Sequence, residues 1–170
     1  MRKRVRLAGV TLAVLLAGCA AGTAPGQPTS RTTNPPWPAP RDGLAQIQAA
    51  GLEASRLDDT TNQRRFTLTI AIDAQPVSLV PYIGMDRPRA LQGPAHTHDE
   101  SGTVWLEGRG ADTVTLGEFF TLWGVRFDDE CLGAACGGVT VTMDGERVKD
   151  PRSLRLAEVA ERLQIEAQTS

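Results

Sequence analysis

Polar and apolar side chains alternate from Phe66 to Ile72: Phe66, Leu68, Ile70 and Ile72 are spaced by Thr67, Thr69 and Ala71. A period of two puts the apolar set on one side of an extended chain, which predicts a strand with one buried face. Asp73-Ala74-Gln75 has turn composition, and Pro76–Val80 is expected to start a second strand. Thr103–Glu107 and Val139–Met143 repeat the alternating pattern, Asp144-Gly145 supplies a tight turn, and Leu163–Ala167 is expected as a last strand. The period lengthens at Leu116, Phe119, Phe120 and Trp123, which recur at helical spacing. Thr115-Leu116-Gly117-Glu118 fits a capping box there, with Thr115 as N-cap and Glu118 three positions inside. Asp42–Ser55 predicts a further helix capped by Asp42, with Leu44, Ile47 and Leu52 inward and Gly51 weakening its end. Leu154–Arg162 predicts a short helix. This order is α+β: a small mixed sheet against one main helix, β-grasp-like.

The first forty residues follow neither period. Arg2, Lys3, Arg4 and Arg6 precede a largely apolar run, Leu7–Leu16, and small residues lead to Cys19. A basic start, a short apolar run and a small-residue cut site make a secretory signal. The run is shorter than the roughly 20 residues that span a hydrocarbon core. Leu16-Ala17-Gly18-Cys19 resembles the bacterial lipobox. The resemblance implies that residues 1–18 are removed as a signal peptide and that Cys19 is acylated, with palmitate-type chains. The protein is then expected on the extracytoplasmic face of the cell membrane, with the membrane as its partner through the lipid anchor. Residues 19–41 hold six of the eleven prolines and few aliphatic side chains, so they are expected to form a flexible tether. Trp37 is expected to stack on the prolines beside it. Residues 42–170 are left for a single domain, long enough to bury one core.

Charge narrows the partners. Removing residues 1–18 takes four cations and no anion, leaving 14 Lys+Arg against 20 Asp+Glu and a formal charge of −6. No basic block follows, so nucleic acid is not expected as a partner.

Both histidines of the chain fall in Pro94-Ala95-His96-Thr97-His98-Asp99-Glu100-Ser101-Gly102. Positions i and i+2 of a strand share a side. If Asp99–Gly102 turns a hairpin, His96 lies opposite Trp105, with Glu107 further along the same face. Two imidazoles with neighbouring carboxylates suit zinc or copper, and His96, His98, Asp99 and Glu107 are the candidate ligands. The other reading is that the pair hydrogen-bonds within the turn and shapes the fold. Cys131 and Cys136 close a short Gly-rich loop; outside the membrane a disulfide is the simplest expectation, with a Cys2His2 metal site as the alternative. No GxSxG elbow, P-loop or HExxH is present, so a binding domain rather than an enzyme is expected.

His96-Thr97-His98-Asp99-x-Ser101-Gly102-x-Val104, followed by Thr115-Leu116-Gly117-x-Phe119-Phe120-x-x-Trp123-Gly124, resembles a poorly characterised family of bacterial extracytoplasmic and membrane-anchored proteins. Its members carry an HTHDxSGVIHVE-like block, then LGxFFxxWG, then a hairpin, and the likeness covers about residues 63–167. The resemblance implies a fold and a cellular place, not a reaction. Members often have His at the position of Trp105, and HxHL where this chain has Arg65 to Leu68. If those histidines form a metal cluster, this chain keeps part of it. The functional expectation is a surface-tethered lipoprotein whose domain binds a ligand, a transition-metal ion above all. The alternative is an interaction lipoprotein without metal, accessory to a membrane complex.

Overall fold

The computed structural model describes residues 27–170. Cys19, the expected signal peptide and the start of the expected tether lie outside them. Along the chain run α1 (Gly43–Ala49), β1 (Ser55–Arg56), β2 (Arg64–Ile72), β3 (Gln75–Val77), β4 (Met85–Asp86), β5 (Leu91–Gln92), β6 (Ala95–His96), β7 (Thr103–Leu106), α2 (Leu116–Trp123), β8 (Val139–Met143), β9 (Glu146–Arg147) and β10 (Arg162–Ala167). The fold is the expected α+β. One mixed sheet has the order β6-β7-β2-β10-β8-β9, with β3 on the far half of β2, and β1, β5 and β4 form a second, small sheet. β2 and β10 run parallel at the centre, Leu68 beside Leu163 and Ile70 beside Ile165. Their other neighbours are antiparallel. Early and late long strands parallel at the centre, with a helix over one face, give the β-grasp-like layout that the pattern predicts.

The alternation in β2 places Phe66, Leu68, Ile70 and Ile72 inward, and β10 does the same with Leu163, Ile165 and Ala167. Leu116, Phe119, Phe120, Leu122 and Trp123 of α2 join them in one core. Thr115 caps α2 as expected: its hydroxyl accepts from Glu118 N (3.2 Å), and the Glu118 carboxylate accepts from Thr115 N (2.7 Å). Gly124 ends the helix at φ +68°, and a Cβ there would lie 2.3 Å from Thr29 Oγ1. Only glycine meets both demands.

Four expectations change. α1 stops at Ala49, and it turns Ala45, Gln46 and Ile47 inward while Leu44 is half-buried. The strand expected from Pro76 covers only Gln75–Val77, and the helix expected over 154–162 is one 3-10 turn at Leu156–Glu158. The largest correction is in residues 27–41, expected as the end of a tether. Trp37 is 1 % exposed and packs edge-on against Trp123, with centroids 5.5 Å apart. Trp123 Nε1 donates to Trp37 O (3.0 Å), and Arg31 exchanges backbone hydrogen bonds with Gly124 and Arg126. Averaged composition hides this, because one indole buries roughly 200 Å², worth up to about 5 kcal/mol at 25 cal/mol per Å². Among the described residues no helix is long and apolar enough to cross a membrane.

Candidate metal centre

β6 and β7 form the expected hairpin, with Ala95 opposite Leu106 and His96 opposite Trp105. β7 in turn pairs Trp105 with Arg65 of β2. Paired residues share a face, so Arg65, Trp105 and His96 lie in a row across three strands, on the side opposite the core residues Leu106 and Phe66. Glu107, two residues beyond Trp105, lies on that side too. The segment between the histidines is pinned from within: the buried Thr97 hydroxyl donates to Val80 O (2.7 Å) and accepts from Ile83 N (3.1 Å). Thr97 N also donates to Ile83 O.

His96, His98 and Glu107 converge. One ligand atom from each lies within 4.8 Å of the other two, so the group could hold a metal ion. His96 and Glu107 are buried and His98 is exposed. Of the four expected ligands, Asp99 is the one left out. Its carboxylate accepts from Ser101 N (2.9 Å) within the turn, as a short acidic side chain does at such a position. That contact with Ser101 holds its carboxyl below the usual pKa. Trp105 packs edge-on against His98, at 5.5 Å between centroids, and the Arg65 guanidinium lies over the indole at 5.3 Å.

The hydrogen bonding of His96 decides what the group can do. Nδ1 lies 3.2 Å from Gly93 O. A carbonyl only accepts, so Nδ1 carries the proton and the neutral ring keeps its lone pair on Nε2. Burial holds the imidazole below its ordinary pKa, against the opposing pull of Gly93 and Glu107. Nε2 is 3.3 Å from Glu107 Oε2, yet among the described residues it has no hydrogen-bond partner. An imidazole lone pair and a carboxylate oxygen are both acceptors, so the neutral ring and the carboxylate form no hydrogen bond with each other. Glu107 is itself held in place: Gln63 Nε2 donates to Oε1, and Gln92 Nε2 lies 3.4 Å from Oε2 while also donating to Asp59 O. Sequence reasoning missed both glutamines, since a lone Gln outside any motif carries no signal.

Cys131 and Cys136 form the expected disulfide, S–S 2.11 Å, so the Cys2His2 alternative falls. A surface cavity of about 490 Å³ lined by Arg56, Asp58 and Arg89 offers no free cation to an anion. Arg56 is paired with Asp58, and Arg89 with Asp42 and Asp86. No protein-family model, curated protein or solved structure matches the chain.

Proposed function

We propose that this is an extracytoplasmic binding domain, anchored by lipid at Cys19, that takes a divalent transition-metal ion at His96, His98 and Glu107. One observation carries the metal reading. The buried Nε2 of His96 is a lone pair without a donor among the described residues, facing a buried carboxylate, with a second imidazole beside it. A buried unmatched acceptor costs about 1–3 kcal/mol, and a cation satisfies all three groups at once. Two imidazoles and one carboxylate are the donor set of zinc or copper(II).

Titration of zinc and copper(II) into the wild type, His96→Ala/His98→Ala and Glu107→Gln tests it. The wild type is expected to bind one ion and to lose part of its Trp105 fluorescence with copper(II); both variants are expected to bind far more weakly. Equal binding by all three proteins sinks the metal reading and leaves the pair as a device of the turn. The anchor has its own test. Wild type is expected in the detergent phase and Cys19→Ser in the aqueous phase; equal partitioning into water refutes acylation.

A further inference from the structure

We infer that the metal at this site keeps one coordination position open to solvent, filled by water or by a small exogenous anion, so that the centre is exchangeable rather than a structural staple. The inference rests on the metal reading above and deepens it. Three observations support it.

The first is the ligand number. The group contains three residues, whereas a tetrahedral ion needs four donors; structural sites close with four protein ligands, and three leave a place for water or substrate. The second is the asymmetry of the walls. His96 is 0 % exposed and Glu107 3 %, whereas His98 lies on the surface, so protein closes one side of the ion and solvent reaches the other. The third is that the scaffold holds without a staple. Sheet pairing fixes His96 and leads directly to Glu107, and the buried Thr97 pins the chain between the two imidazoles. A staple joins parts that nothing else joins; here the parts are already joined. The exposed guanidinium of Arg65, on the same face, favours an anion as the fourth ligand, whereas Asp99 on the turn opposes it.

One group could close the site instead. Gln92 Oε1 is the other buried side-chain acceptor without a partner among the described residues, on a side chain whose nitrogen already lies beside Glu107.

Cobalt(II) distinguishes the two, because its visible absorption reports coordination number. The full chain and Gln92→Leu, each loaded with cobalt(II), are titrated with azide. A saturable shift of the visible bands in both proteins is expected, with the shift lost in competition with acetate at high concentration. Bands that ignore azide in the wild type but respond in Gln92→Leu overturn the inference and make Gln92 the fourth ligand. Bands that ignore azide in both proteins overturn it too, as a closed site. If the wild type does not retain cobalt(II), or His96→Ala/His98→Ala retains it equally, the metal reading itself fails and takes this inference with it.

Discussion

At the scale of the residue, the site depends on which atom of His96 carries a proton. Burial holds its pKa below the ordinary value near 6.5. The unfolded chain therefore binds this proton more tightly, and stability rises with pH across the window between the folded and unfolded values. The contribution is complete above about 6.5 and is lost as the pH falls below that, down through the folded value. Metal-free wild type is thus expected to lose more melting temperature than His96→Gln between about pH 7.5 and pH 5. Identical pH dependence in the two proteins would show that His96 is not buried neutral. Metal affinity is expected to fall in the same direction, because a protonated imidazole cannot coordinate. A second prediction concerns Gln92, which contacts Glu107 without belonging to the three-residue group. Gln92→Leu is expected to weaken metal binding roughly ten- to a hundredfold, the usual effect of removing a group that orients a ligand; unchanged affinity in a titration would refute that role. The candidate histidines were legible in sequence because i, i+2 spacing next to a turn fixes their side. Asp99 stands outside the group because its carboxylate takes the amide two residues on, a preference that spacing does not show.

At the scale of the element, the legible parts are those whose signal is local. β2 and β10 show a period of two, α2 shows helical spacing, and its capping box is four consecutive residues. The small sheet of β1, β5 and β4 was not legible, because two-residue strands have no period. Tertiary partners set them instead: the buried Asp86 carboxylate accepts from Leu44 N (3.0 Å) and pairs with Arg89 (2.6 Å). Thr115→Ala is expected to cost about 1 kcal/mol, seen as a lower denaturant midpoint at unchanged slope. Glu118→Ala on top of it should add less than it costs alone, because the two side chains cap reciprocally. The disulfide belongs to this scale as well. Intact mass under non-reducing conditions is expected to be two hydrogens below the dithiol, and closing so short a loop contributes about 2 kcal/mol. Two alkylatable thiols in protein recovered from the cell exterior would contradict it.

At the scale of the whole molecule, the boundary of the domain moves. Composition places it at residue 42, whereas the structure brings in the chain from about Thr29. Gln46, buried in α1, accepts from Thr29 N (2.6 Å) and donates to Thr29 O and Thr121 O, tying that segment to both helices. At the other end, Ala134 N donates to Thr33 O, and Gly133 of the disulfide loop lies so close that a Cβ would be 2.5 Å from Trp37 Cζ2. The segment thus touches both the C-terminal end of α2 and the loop that Cys131 and Cys136 close. If Cys19 carries lipid, ten residue steps separate it from Thr29, and they reach at most about 36 Å. A domain anchored in that way would stay within that distance of the membrane surface. Trp37→Ala should therefore act as a core mutation, costing about 3–5 kcal/mol, although the residue lies in a proline-rich stretch. A chain beginning at residue 42 should lose at least as much as Trp37→Ala relative to one beginning at residue 27, since it also gives up the bonds of Arg31 and Thr29. Chemical denaturation of the three proteins decides this. If the chain from residue 42 unfolds at the same midpoint as the chain from residue 27, the segment adds no stability and the compositional boundary stands.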